Sequence, residues 1–314
     1  MALTIGQVAA ASYPTVLAEK RGGANQWKEN AALNALEKSG FLVFEDMGEN
    51  IEVPLDYRRN PDVAVLVADQ DESTLINTEI LTSAVYDVAQ IVVPVTWTMA
   101  EEMKNSSTTQ KISLTRQKLE NAIGSHDDEL EIRIFTSSSA GGTEVNGLND
   151  LITTATTGTI GGIDSSVETF WANKAEQYVD GSDIEAAATE LFNACAKGSG
   201  SGLQPTMVLS GPDTQALYES QLQALQRFTD SDSADGGFKT LMFKGAKWIF
   251  SHKGHATSAY FVNPKNYKCV VAKNYFRHKG DTNDVPGQPA SYFLIYSGLQ
   301  NITDNRSRLG RLYV

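Results

Sequence analysis

The sequence predicts an α+β protein. Three features carry that reading: two runs whose apolar residues alternate at period two, two helical stretches opened by capping boxes, and a C-terminal third of short strand-like runs set off by turns. The chain has 314 residues, 41% hydrophobic and 20% charged, enough to bury a full core and two or three subdomains. Net charge is −12, from 26 basic and 38 acidic residues, so the bulk surface repels nucleic acid. No window approaches the roughly 18 apolar residues that span a bilayer, and no membrane contact is expected. The opening Met1–Gln7 has no basic region leading into an apolar run, so no secretory signal is expected. Two cysteines, Cys195 and Cys269, fall in apolar patterns and read as small core residues of a reducing cytoplasmic protein.

Residues 1–24 read as an N-terminal arm that needs a neighbouring chain or domain to order it, with a basic spot at Lys20-Arg21 and a Gly pair after it. A helix is expected from Asn25 to Ser39, with Trp27, Ala32, Leu33 and Leu36 near one face and Gly40 as its stop. Ile51, Val53, Leu55 and Tyr57 then alternate with polar residues, and so do Ile91, Val93, Val95 and Trp97 at the end of a second run from Val85. Pro54 and Pro94 cannot donate to a ladder, which places both runs at edges or in a ribbon. Residues 51–97 thus read as an extended β-ribbon whose polar excursion, from Arg58, carries Arg59 at its bend. Arms of roughly 15 residues would reach about 50 Å. That exceeds the radius of roughly 15–20 Å typical of a compact domain, so such a ribbon makes sense lying over a neighbour.

Thr98 and Glu101 fit a capping box for a helix running to about Ile123, with the polar 105–109 as a possible interruption. A strand is expected next, because Leu130, Ile132 and Ile134 alternate with Glu129, Glu131 and Arg133. Loops are expected at 136–149 and 153–162. A second box at Ser182–Glu185 opens a helix with the stripe Ile184, Ala188, Leu191, Phe192 and Cys195. Met207–Leu209 reads as a buried strand and Pro212 as the start of a helix through Leu217, Leu222 and Leu225, a mixed α/β pattern. Short strands follow at 241–243, 248–251, 260–262, 267–272 and 292–296.

Catalytic and ligand motifs are weak throughout. Gly198–Gly202 follows a helix instead of opening one and lacks a Gly-Lys-Ser/Thr ending, so it reads as a turn and not as a phosphate loop or a nucleophile elbow. His252 and His255 have no further ligands in view and read as a hairpin loop. His126-Asp127-Asp128-Glu129 lacks the spacing of a calcium loop and reads as a solvated turn. Trp171, Phe170, Tyr292, Phe293 and Tyr296 read as core. No catalytic residue, cofactor or metal is expected.

The block Thr159-Ile160-Gly161-Gly162-Ile163-Asp164, followed by Glu168-Thr169-Phe170-Trp171-Ala172-Asn173-Lys174, resembles one found in major capsid proteins of tailed bacteriophages, which have the Hong Kong 97-type shell fold. The ribbon, the capped helix, this block and a tail from Ser297 to Gly310 stand in the order that family uses. The likeness covers roughly residues 25–314. It implies an α+β subunit with an N-terminal arm (1–24), an extended loop (51–97), a peripheral domain with a long spine helix (25–50, 98–140 and 273–314) and an axial domain (141–272). It further implies that many copies, as pentamers and hexamers, close an icosahedral shell around double-stranded DNA without reading its sequence, assembling in a host cytoplasm. An acidic wall suits that role, since a container should not grip its contents. Without a long charged pro-segment, a separate scaffolding protein, or none, is implied, with portal and decoration proteins as further partners. Lys20, Arg21, Arg58 and Arg59 are the residues expected to contact acidic patches on neighbouring subunits. A nanocompartment shell of the same fold, a soluble hydrolase using Ser210 or Ser137, and a tail-tube or decoration protein are the alternatives.

Overall fold

The computed structural model describes residues 5–21, 30–57, 80–105, 107–136, 144–179, 183–196, 204–221 and 241–314. The first helix, α1 (Ile5–Arg21), carries Pro14 in its interior. The proline removes a backbone donor and crowds the preceding turn, so α1 is a poor helix alone. It forms against its own chain: Ile5, Ala9, Tyr13 and Val16 join a buried cluster with Leu119 and Phe293. Next comes α2 (Ala31–Lys38), which buries Ala32, Leu33 and Leu36 on one face and ends before Gly40 at φ +82°. The predicted turn from helix to stop is present there.

After β1 (Leu42–Glu45), β2 (Asn50–Asp56) and β3 (Leu81–Asp87) form an isolated antiparallel ribbon, in register from Asn50 opposite Asp87 to Asp56 opposite Leu81. The second period-two run was expected to continue along the ribbon to Trp97. Instead it divides at Val88, and β4 (Ala89–Thr98) leaves the ribbon to pair with residues 290–299. Both halves keep the alternation, because each buries one face, but they bury it against different partners. Among the described residues β4 is hydrogen-bonded on one side only, as Pro94 requires.

The capping box at Thr98 is present: Glu101 N–H donates to Thr98 Oγ1 at 3.3 Å and Thr98 N–H to Glu101 Oε2 at 3.0 Å. It opens only the short α3 (Met99–Lys104). A new N-cap at Ser107 then starts α4 (Thr108–Phe135), 28 residues and about 42 Å long. The expected strand at 130–134 is therefore corrected to helix. Leu130 and Ile134 are one turn apart on the buried face, while Ile132 is 36% exposed. Two of the three "alternating" residues thus satisfy a period of 3.6 as well as one of 2.

The chain continues through α5 (Leu148–Leu151), the hairpin of β5 (Thr159–Ile160) and β6 (Ile163–Asp164), β7 (Lys174–Gln177), α6 (Ile184–Ala196), β8 (Met207–Ser210) and α7 (Pro212–Gln221). It then runs through β9 (Leu241–Phe243), β10 (Ala246–Phe250), β11 (Ser258–Val262), β12 (Tyr267–Ala272), β13 (His278–Lys279), β14 (Asn283–Asp284), β15 (Ala290–Thr303) and β16 (Gly310–Tyr313). One six-stranded sheet is built on β15, which takes β4 along one edge and β12, β13 and β14 along the other, with β1 beside β12. The other has the order β7-β16-β11-β8-β10-β9, with β8 and β10 parallel. Its core is aromatic: Tyr218 stacks on Trp248 at 4.1 Å, with Phe243 and Phe261 edge-on. Running from β15 into β16, the C-terminal residues tie the two sheets together.

Candidate assembly surfaces and the joints behind them

The β5–β6 hairpin turns at Gly161 and Gly162, with φ of +60° and +78°. Two successive positive φ values make the kind of turn that matches strand twist, and glycine adopts it without steric cost. The turn docks on the ribbon: Val85 N–H donates to Gly161 O at 3.0 Å, and a Cβ at Gly161 would lie 2.9 Å from Ala84 Cβ. Trp171, 1% exposed, braces the hairpin by donating its indole N–H to Ile160 O at 3.0 Å. Phe170 meets Tyr57 at the ribbon's end, ring centres 4.9 Å apart.

Arg306 fixes this block to the C-terminal tail. It is fully buried, donating to Leu151 O at 2.7 Å, Ser165 Oγ at 3.0 Å and Thr153 Oγ1 at 3.1 Å. Burial lowers its pKa to about 10, with nearby Tyr86 opposing. The ribbon is thus clamped at its base while its outer face stays open. That face carries exposed Glu52, Asp56 and Asp87 with Val85 and Leu81, the last 61% exposed.

A second open surface is the face of the first sheet turned away from α4. Val92 and Leu294 are exposed there. Beside them a cleft of about 410 Å³ lies between Glu45, Met47, Lys273, Tyr275 and Tyr296.

On its inner side α4 buries Thr115, Leu119, Ile123, Leu130 and Ile134, but also His126, Asp127 and Glu131. The first two form a joint. His126 Nε2 lies 2.9 Å from Ser297 Oγ, its Nδ1 lies 3.4 Å from Asp127 Oδ1, and Arg277 pairs with Asp127 through its guanidinium. The backbone N–H of Arg277 donates to Ser297 Oγ at 2.7 Å, and Tyr13 of α1 donates its hydroxyl to Arg277 O. Burial lowers the pKa of His126, Arg277 lowers it further, and the Asp127 contact opposes both.

Ser297, His126 and Asp127 resemble a hydrolytic triad, yet all three are fully buried and Arg277 occupies the carboxylate. No carbonyl substrate can approach the serine in that arrangement.

The other joint faces the β10–β11 loop. Ser251 donates to Glu131 Oε1 at 2.5 Å, and Lys253 Nζ lies 2.7 Å from Asp128 Oδ1 and 2.8 Å from Asn30 Oδ1. Burial raises the pKa of Glu131, against the Ser251 hydrogen bond. Asp128 is lowered overall: partial burial raises it, but hydrogen bonds from Lys253 and Asn30 outweigh that.

These joints overturn the reading of 126–129 as a solvated turn, since two of its four residues are sealed inside the fold. Sequence reasoning also missed Arg277, Ser297, Glu131 and Arg306, which lie far apart in the chain and share no motif. The signal for His126, Asp127 and Glu131 was their phase: they continue the 3- and 4-residue spacing of Leu119 and Ile123.

Lys20 and Arg21 fall on the last turn of α1, and their side chains lie outside the described residues, as do Arg58, Arg59, Ser137 and Gly198–Gly202 entirely. His252 and His255 are exposed in the loop between β10 and β11, as expected, but β8 lies between those two strands, so the expected hairpin is corrected to a connection across the sheet. Ser210 is buried and accepts the indole N–H of Trp248 at 2.8 Å. Cys195 and Cys269 are buried free thiols, and burial pushes Cys195 up to about 12. Among the described residues no helix is long and apolar enough to cross a membrane, and no cluster of three or more His, Cys, Asp or Glu could hold a metal.

No family model matches the chain, and no curated protein matches it. Solved structures do. The chain is similar to a protein in the capsid asymmetric unit of cyanophage A-1(L), at 15% identity and TM-score 0.66 over 91% of this chain and 92% of that one. It is also similar to the capsid of Myoviridae phage XM1, at 9% identity and TM-score 0.54 over 88% and 90% of the two chains. A third likeness is to the holo-SrpI encapsulin complex from Synechococcus elongatus PCC 7942, at 12% identity and TM-score 0.56 over 87% and 84%. With nine-tenths of its length matched by such chains, this mixed helix-and-sheet protein has the fold of the tailed-phage major capsid proteins.

Proposed function

We propose that the chain is a major capsid, or head, protein with a structural role and no catalysis, which self-assembles as pentamers and hexamers into an icosahedral shell enclosing double-stranded DNA. The observation that carries this is the capsid-protein fold over nine-tenths of the chain. It agrees with a ribbon clamped at its base and open on its outer face.

In this reading the ribbon and the N-terminal arm overlap neighbours, with residues 25–50, 98–140 and 273–314 as a peripheral domain of the Hong Kong 97 type. Residues 141–272 converge at the symmetry axes as an axial domain. Lys20, Arg21, Arg58 and Arg59 contact acidic patches on adjoining subunits. The outer ribbon face, with Glu52, Asp56 and Asp87, offers such a patch. An edge-bearing ribbon suits this use, since unpaired backbone groups and a half-apolar face gain from a partner. The contents are held without base recognition, and scaffolding, portal and decoration proteins are separate chains.

A nanocompartment shell is the second reading, favoured by the encapsulin likeness. Light scattering and negative-stain microscopy of the purified chain test both. Closed particles tens of nanometres wide support a shell. Nuclease-protected DNA inside particles from infected cells selects the capsid, and an enclosed protein cargo selects the nanocompartment. Charge reversal at Lys20, Arg21, Arg58 and Arg59 should weaken assembly, most of all at low salt, where screening is least; assembly left intact there would remove those residues from the interface.

A further inference from the structure

We propose that α1 is an acid-released arm: protonation of His126 undocks it from α4 while the Glu131–Ser251 joint stays closed. The claim concerns the subunit alone and stands whether or not the shell reading does.

In the neutral ring, Nδ1–H donates toward Asp127 and Nε2 accepts the Ser297 hydroxyl, while Ser297 Oγ accepts Arg277 N–H. A second ring proton makes Nε2 a donor. Ser297 Oγ can accept that bond on its second lone pair, but the Ser297 proton loses its acceptor inside a closed site. The same proton places an imidazolium beside the Arg277 guanidinium around a single carboxylate, Asp127, in a site closed to water.

Around the ring lie Asp127 on α4, Arg277 and the edge-on Phe276 on the 273–277 segment, Ser297 on β15, and Tyr13 on α1 by way of Arg277 O. Of these described residues, Asp127 and Arg277 are the charged ones.

Relief comes most easily at Arg277. Its φ of +50° is a left-handed conformation that a non-glycine side chain adopts at a cost. Moving it withdraws the carbonyl that holds Tyr13. The helix interrupted by Pro14 then loses that hydrogen bond and leans more heavily on its apolar contacts with Leu119 and Phe293. The sign follows from the depressed imidazole: the unfolded or undocked state takes up this proton first, so docking weakens as pH falls below about 6.5.

The test is amide hydrogen exchange on the full chain between pH 7.5 and 5.0, corrected for intrinsic rates, with α6 (184–196) as internal reference. Protection of residues 5–17 should fall by about tenfold, bounded near 30-fold by the ~1.5 pH units below free imidazole, while α6 and the 251–254 loop hold. His126→Gln, which keeps one donor and one acceptor, should abolish the response. Should that variant not fold, Tyr13→Phe should give at pH 7.5 the exchange that the parent shows at pH 5.0. Unchanged protection of 5–17 at pH 5.0, an equal fall in His126→Gln, or parent-like protection in Tyr13→Phe at pH 7.5 would each overturn the proposal.

Discussion

At His126 and Asp127, α4 holds the N-terminal helix through a neutral imidazole and a buried ion pair; one turn on, at Asp128 and Glu131, it holds the β10–β11 loop through carboxylates. Both joints interrupt an apolar stripe with polar groups, and both lie near the middle of the molecule. Their responses to a proton differ in sign. The imidazole is depressed, so acid charges it against its surroundings. Glu131 is raised, so acid neutralises a carboxyl that burial disfavours when charged. Acidification to pH 5 therefore loosens the arm and leaves the other attachment closed, because Glu131 takes up a proton favourably while the lowered Asp128 keeps its charge and its Lys253 contact. The polar residues of a buried helix face thus decide which attachment gives way first.

The largest expected effect breaks the comparison by charge. Asp127→Ala leaves the Arg277 guanidinium buried without its carboxylate, and urea unfolding should show a loss of about 3–5 kcal/mol. Asp128→Ala, removing a carboxylate that is 55% exposed, should cost at most about 1 kcal/mol. Equal losses would mean the two joints are energetically alike.

Pro14→Ala sharpens the contrast by restoring a backbone donor to α1. It should stabilise the arm by about 1–3 kcal/mol and raise protection of residues 5–17 without altering the 251–254 loop. Gly161→Ala acts away from both joints. A methyl group there meets Ala84 and requires φ of +60°, so a loss of roughly 1–2 kcal/mol is expected, with faster exchange confined to β2 and β3. The smallest effect is that of Glu131→Gln. It should stabilise the protein at pH 7 by about 1 kcal/mol or less, and the gain should shrink as pH falls toward the ordinary carboxyl value of about 4.5. A gain that grew in acid would reverse the sign assigned to this joint.

Much of the architecture was legible because local rules and burial agree. The capping box at Thr98, the ribbon at Ile51–Leu55, the stripe from Ile184 to Cys195 and the strand-then-helix order of β8 and α7 all read correctly from pattern. The C-terminal half of α4 did not. Its buried stripe carries His126, Asp127 and Glu131, so the apolar period fades just where the helix is most enclosed, and the spacing of Leu130, Ile132 and Ile134 imitates a strand.

The division of the second run at Val88 was hidden for a related reason. Alternation reports that one face is buried, not which sheet buries it. The Gly161–Gly162 block could be recognised by likeness, but its role as the ribbon's clamp depends on Val85 and Ala84, some 75 residues away. Arg277 and Arg306 meet Asp127 and Leu151 through tertiary contacts 150 and 155 residues away along the chain.

The most direct test of the central reading is a cryo-electron microscopy reconstruction of the particles formed by this chain. The account predicts a closed shell in which the outer face of the β2–β3 ribbon, including Glu52, Asp56 and Leu81, is covered by a neighbouring subunit. A shell in which that face is open to solvent, or a chain that remains a 34.1 kDa monomer even with its scaffolding partner present, would contradict it.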